Sequence, residues 1–336
     1  MSTDPSVTRG LHSRGVTAAA GFRAAGVAAG IKSSGSLDVA LVVNDGPRHD
    51  AAAVFTSNRI KAAPVLWTAQ CTLDGRFQAV ILNSGGANAC TGPAGFADTH
   101  RTAEHVAELL GVAPIEIAVC STGLIGERLP MPALLAGAEA ACHSLSAEGG
   151  NAAAEAIMTT DSVPKLAAVP HREGWTVGGM AKGAGMLAPG LATMLVVLTT
   201  DAIADAATMD AVLRAATRVT FDRIDSDGAM STNDTVLLLA SGASGIRPDA
   251  DELGAAVTAV CADLARQLIG DAEGASKDIR IDVVNAATED DAVTAARAVS
   301  RSNLLKCAIN GEDPNWGRII SAVGTTDAVF EPDAID

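Results

Sequence analysis

Gly178-Gly179-Met180-Ala181-Lys182-Gly183-Ala184-Gly185-Met186 runs on through Leu187-Ala188-Pro189-Gly190-Leu191-Ala192 to Thr193-Met194-Leu195. This stretch decides how the chain is read. It puts one lysine in a Gly-rich loop and a hydroxyl residue at the head of an apolar strand, Thr193 to Leu198. It is not a P-loop, because Lys182 precedes the loop and no GxxxxGK[ST] occurs. On residue types alone two readings stand. In one, the glycines form a plain connection and Thr193 serves strand propensity. In the other, Thr193 is a nucleophile. A threonine hydroxyl needs a base, and cutting the peptide bond before Thr193 would free its own α-amine. Such an amine has a pKa of about 7.7–8.0 and can act as the built-in base of an N-terminal nucleophile. Ala192, before that bond, is small enough to leave the hydroxyl room to attack.

Around this stretch, strand-like runs alternate with Ala-rich helical stretches. Strands are expected at Leu37–Val43, Ala51–Phe55, Ala79–Leu82, Ile115–Cys120, Trp175–Gly178, Thr235–Ala240 and Ile279–Val284. Helices are expected at Thr99–Leu110 with Asp98 as N-cap, from Pro130 or Met131 towards Ser144, and at Asn151–Met158. Further helices are expected at Met209–Arg218, Asp251–Ile269 and Glu289–Ser300. The class is α/β (α+β). No βαβ unit carries GxGxxG, so a dinucleotide fold lacks support.

The chain has 336 residues, 48% hydrophobic and 19% charged, with a net charge of −15. That much apolar content excludes a disordered chain. The acidity disfavours nucleic acid as a partner, and so does the shortage of aromatics, with no Tyr, six Phe and three Trp. The six cysteines form no CxxC pair, and apolar neighbours such as Ala118-Val119 and Val260 suggest buried, inert thiols. The six histidines show neither HxxxH nor HExxH spacing, so no metal site is expected. Met1 to Arg14 lacks an apolar signal region, and the run Met186 to Leu198 is too short to cross a bilayer. These features point to a cytoplasmic protein with no membrane partner.

Seven collinear blocks then carry a resemblance. They are the 182–195 stretch, Asn83-Ser84-Gly85-Gly86-Ala87-Asn88-Ala89-Cys90-Thr91-Gly92, and Ser121-Thr122-Gly123-Leu124-Ile125-Gly126. The others are Met158-Thr159-Thr160-Asp161-Ser162, Ser231-Thr232-Asn233-Asp234-Thr235, Asp271-Ala272-Glu273-Gly274-Ala275, and Gly311 to Arg318. Together they resemble the ornithine acetyltransferases, the glutamate N-acetyltransferases of cyclic arginine biosynthesis.

The resemblance implies sheets layered between helices, as in certain self-processing aminopeptidases. It implies self-cleavage between Ala192 and Thr193, giving an α chain, 1–192, and a β chain, 193–336, as one intertwined catalytic unit. The α and β chains are expected to pair, and the αβ pairs to dimerise. Thr193 would carry acetyl from N2-acetylornithine to glutamate as an ester, with Thr122 and Gly123 as the oxyanion hole. Lys182, Glu273 and Thr159, chosen over Thr160, would bind substrate. No cofactor is implied, though acetyl-CoA stands as an alternative donor. Two alternatives accompany this reading: a self-processing amidohydrolase or aminopeptidase on the same scaffold, and a truncated, non-catalytic relative. Departures from the family pattern include Gly190 after Ala-Pro and the wording of Ser226 to Met230. The family's C-terminal tail, with its further strand and substrate contacts, is also expected to be missing.

Overall fold

The computed structural model describes residues 12–188 and 194–335. Two sheets organise them. The first takes β1 (Phe22–Val27), β2 (Val39–Asn44), β4 (Ala79–Gly86) and β5 (Ile117–Leu124), in that order. The second has the order β3-β9-β8-β7-β6. Its members are β3 (Asp50–Phe55), β6 (Lys165–Pro170), β7 (Thr176–Lys182), β8 (Leu195–Thr200) and β9 (Thr235–Ala240). Within each sheet one pair is parallel, β4 with β5 and β8 with β9, and the remaining pairs are antiparallel.

The helices are α1 (Ala63–Cys71), α2 (Gly92–Leu110), α3 (Met131–His143), α4 (Gly150–Ala156) and α5 (Ala206–Val219). They continue with α6 (Ala250–Gly270), α7 (Glu289–Arg301), α8 (Asn303–Asn310) and α9 (Trp316–Val323). A parallel pair needs a crossover, and α2 supplies it for β4–β5, as α5 does for β8–β9.

The residues of β8 and β9 alternate between two cores. Leu195, Val197, Leu237 and Leu239 join the first sheet and helices α1 to α4. Val196, Leu198, Val236 and Leu238 pack with Leu213, Val257 and Leu264 of α5 and α6. Both faces are covered, which is why these strands read as unbroken apolar runs. Among the described residues α6 is long and apolar enough to cross a membrane by length and composition alone. Its apolar stripe (Leu253, Val257, Val260, Leu264, Leu268) is buried in the core instead.

Several expectations are corrected. Residues Gly178 to Lys182 are strand, not loop. A Cβ on Gly178 would meet the Gly15 carbonyl oxygen at 2.2 Å, and one on Gly179 would meet Leu198 at 2.7 Å. These glycines admit close neighbours to a strand and do not form a turn. Helix α2 starts at Gly92, with a proline in its first turn. Asp98 therefore lies within α2, where it accepts two hydrogen bonds from Arg128 at 2.8 and 2.6 Å. Ile279–Val284 forms no strand and no ladder among the described residues, so its alternating apolar residues stay without the partner a strand requires. Cys71, Cys120 and Cys261 are buried, and burial pushes the Cys71 and Cys120 thiols up to about 12. Cys90 and Cys307 are exposed, because a loop and a short amphipathic helix carry them.

Candidate active site

The C-terminal ends of β4 and β5 meet the end of β7 and the starts of β8 and β9. Lys182, the last residue of β7, pairs with Leu195, the first of β8, so residues 183–194 link adjacent antiparallel strands. Ala192 and Thr193 lie outside the described residues.

Thr122 and Gly123 lie near the end of β5, just before Leu124. Gly123 has φ +130°, and a Cβ there would lie 2.5 Å from the Gly86 nitrogen, so only glycine lets β4 and β5 approach this closely. Buried amides brace the two strand ends. The Ser121 hydroxyl donates to Asn83 Oδ1 at 2.6 Å, and Asn83 Nδ2 donates to the Gly86 carbonyl at 3.1 Å. From before β9, Asn233 Nδ2 donates to the Ala87 and Ser121 carbonyls at 2.6 and 2.8 Å, tying the two sheets together.

Lys182 is 1% exposed, and its Nζ donates to Thr122 Oγ1 at 3.4 Å. Burial lowers its pKa to about 8; Asp161 and Asp234 oppose the fall, while Lys165 and Lys32 add to it. An ammonium with so few partners is available to a ligand carboxylate.

Beneath it lies a charge cluster to which the sequence reading assigned no role. Lys165, fully buried on β6, donates at 2.6 Å to Asp161 Oδ1 and at 2.6 Å to Asp271 Oδ2. Asp161 also accepts the Thr159 and Gly183 N–H groups at 3.0 and 2.6 Å. Asp271 accepts from the Ser162 backbone at 2.9 Å and from the Ser162 hydroxyl. Burial pushes both carboxyls up. The Lys182 and Lys165 ammoniums outweigh it at Asp161, and Lys165 and Ser162 outweigh it at Asp271, so both stay below the ordinary carboxylate range. One buried cation thus anchors the segments that carry Thr159, Lys182 and Glu273.

The Glu273 N–H donates to the Ala184 carbonyl at 2.7 Å, and its carboxylate lies over Gly185, where a Cβ would meet it at 2.9 Å. Thr122, Lys182 and Glu273 are therefore gathered around one loop. Thr159 and Thr160 are exposed, and Thr159 lines a cavity of about 410 Å³ with Lys32 and Asp161. Glu273 borders a different cavity, of about 310 Å³. The described residues hold no cluster of three or more His, Cys, Asp or Glu placed for a metal ion.

Against known proteins, the ArgJ family pattern matches residues 23–336. The chain belongs to the ArgJ family. The arginine biosynthesis bifunctional protein ArgJ of Streptomyces coelicolor is 68% identical over 321 residues, covering 96% of this chain and 84% of its own length. The ArgJ of Mycobacterium tuberculosis is 61% identical over 335 residues, covering 98% of this chain and 83% of its own. A crystal structure of ornithine acetyltransferase complexed with ornithine, from Mycobacterium tuberculosis, matches with a TM-score of 0.53 at 64% identity. That match covers 55% of this chain and 97% of the other. The layered α/β class expected from the sequence is that of the ArgJ family.

Proposed function

We propose that this chain is a glutamate N-acetyltransferase that moves acetyl from N2-acetylornithine to glutamate through an ester on Thr193, after cutting itself between Ala192 and Thr193. The observation that carries the reading is the ArgJ-family match across residues 23–336. The buried Lys182, hydrogen-bonded to Thr122 beside the 183–194 link, supports it. So does the ornithine acetyltransferase structure, whose chain is matched by 55% of 336 residues, about 185. That is close to the length of 1–192, the proposed α chain, with 193–336 as the β chain.

In this reading the free α-amine of Thr193 takes the hydroxyl proton as Oγ attacks the acetyl carbonyl. Thr122 and Gly123 steady the oxyanion. The C–N bond to ornithine breaks, and the leaving nitrogen takes the proton back. The glutamate amine then attacks the ester, and Thr193 is restored. Lys182 holds the substrate carboxylate, Glu273 the ornithine ammonium, and Thr159 borders the site. The α and β chains stay associated, their pairs dimerise, and the reaction runs in the cytoplasm.

Intact mass under denaturing conditions tests the cut. The 33.8 kDa chain should give pieces of about 19 and about 14 kDa, the smaller beginning at Thr193, and should exchange labelled acetyl between acetylornithine and glutamate. A whole chain without exchange would overturn the reading.

The lowered pKa of Lys182 adds a pH dependence. The ammonium is charged below about 8 and neutral above it, so carboxylate binding is strong on the acid side and weakens as pH rises. The KM for glutamate should rise about tenfold from pH 7 to pH 9. Lys182→Met should raise the pH 7 value about 10- to 100-fold and leave it flat over that range, read from initial rates.

A further inference from the structure

The two amino acids of the proposed exchange differ in sign at their far ends. Each has an α-carboxylate, which Lys182 can hold for both, but ornithine ends in an ammonium and glutamate in a second carboxylate. One pocket cannot favour both ends, because a charge placed for one repels the other. Two cavities adjoin the residues that follow Lys182. Glu273 borders the one of about 310 Å³ and donates its N–H to the Ala184 carbonyl. The lysines of that cavity are engaged, Lys277 with Glu312 at 3.6 Å and Lys306 with the Ser226 carbonyl at 2.8 Å. Its Asp225 pairs with Arg301 at 2.9 Å, whereas Glu273 enters no ion pair among the described residues. This cavity suits an ammonium.

The other cavity, of about 410 Å³, puts Lys32 beside Thr159 and Asp161. Lys32 stands in the link between β1 and β2. Buried Asp38 fixes that link, accepting the Ala29, Ile31 and Lys32 N–H groups at 2.6, 2.7 and 3.0 Å. The link packs on the strand ends that carry Thr122 and Gly123. A Cβ on Gly85 would meet Ile31 at 2.9 Å and the Lys32 stem at 3.4 Å, and Gly85 pairs with Gly123 in the β4–β5 ladder. Lys32 Nζ donates to the Leu37 carbonyl at 2.9 Å and to the Met158 carbonyl, one residue before Thr159, at 2.7 Å. An ammonium has three N–H groups, so one is left over. Among the described residues no carboxylate is in ion-pair contact with it; Asp38 and Asp161 act on it from farther off. Asp161 is itself joined to Lys165 at 2.6 Å and to the Gly183 N–H, next to Lys182. Glu155 also lines the cavity, but it is exposed and accepts the Asn151 amide at 2.6 Å. Lys32 is near enough to Lys182 for its charge to disfavour the second ammonium.

We infer that Lys32 selects glutamate: its ammonium takes the side-chain carboxylate of the acceptor while Lys182 holds the α-carboxylate, and the ornithine end turns to the Glu273 cavity. This rests on the exchange proposed above. Two neighbouring cations match the two carboxylates of a dicarboxylic amino acid and repel a second ammonium.

Lys32→Met keeps the stem and removes the charge. Lys32→Gln removes the charge but keeps two N–H donors for the Leu37 and Met158 carbonyls, which guards against a variant that merely loosens the Thr159 segment. Each should raise the KM for glutamate about 10- to 100-fold and lower the preference for glutamate over glutamine as acceptor by a similar factor. Single-turnover release of ornithine from acetylornithine, measured without glutamate, should keep the parental rate and half-saturation. Lys32→Arg, which restores the charge, should recover most of the preference. A parental KM for glutamate in Lys32→Gln would overturn the proposal. So would an equal loss in ornithine release, since Lys32 would then only prop the site. A parent chain that exchanges no acetyl removes the underlying reading instead, and that is seen before any variant is made.

Discussion

Thr193→Ala leaves a single species close to 33.8 kDa where the parent gives two, and acetyl exchange falls by at least about 10⁴-fold. One oxygen serves both events in the proposed mechanism. It attacks the Ala192 carbonyl once in the life of the chain and the acetyl carbonyl in every turnover. Alanine keeps the backbone and removes that oxygen, so the two losses come together. The surroundings should persist, because the Lys182–Thr122 hydrogen bond and the Lys165 cluster do not involve residue 193. Thr193→Ser, which restores a hydroxyl, should recover both activities in part. Exchange that survives in Thr193→Ala would end the assignment. Intact mass and labelled-acetyl transfer on one preparation give both readings.

Lys165→Met should be the most damaging single change to stability. The methionine fills the space of the lysine stem but leaves the buried Asp161 and the partly buried Asp271 without the cation that joins them. Removing one member of a buried ion cluster costs about 3–5 kcal/mol. The melting temperature is best measured in the Thr193→Ala background, where the molecule is one chain. Asp161→Asn added to Lys165→Met should cost less than the two single losses summed, because it removes one of the stranded charges. Additive losses would show that the cluster is not a unit. The pH dependence has a definite sign. The Asp161 and Asp271 carboxyls are held below the ordinary range, so their share of stability is present above that range and fades as the pH falls through it. Losing Lys165 should flatten this acid limb.

The sequence was most readable where burial on both faces left a plain signal. β9 was legible to the residue as Thr235–Ala240, and α6 to within one residue at each end, because long apolar runs mark them. β1 and β6 were missed. Phe22-Arg23-Ala24-Ala25-Gly26-Val27 is small and broken by a charge, and β6 opens on a lysine that sequence habits place in water. Ile279–Val284 erred the other way, since alternation can propose a strand but only a neighbour completes one. The candidate site was legible through its collinear blocks. The supports beneath it were not, because Asp271 lies 106 residues from Lys165 and only the fold shows that one ammonium joins it to Asp161.

The strand order of the second sheet bears on how this molecule is made. β8 and β9 lie between β7 on one side and β3 on the other. A cut after Ala192 assigns the inner two strands to one polypeptide and the flanking ones to another. While the precursor is whole, they find one another as parts of a single chain, at an effective concentration set by a short link. After the cut, two separate solutes would have to meet and give up translational and rotational freedom to do so. Assembly is then unimolecular once, at synthesis, and second-order ever after. The mature enzyme's durability becomes a matter of how slowly it comes apart rather than of an equilibrium it can revisit.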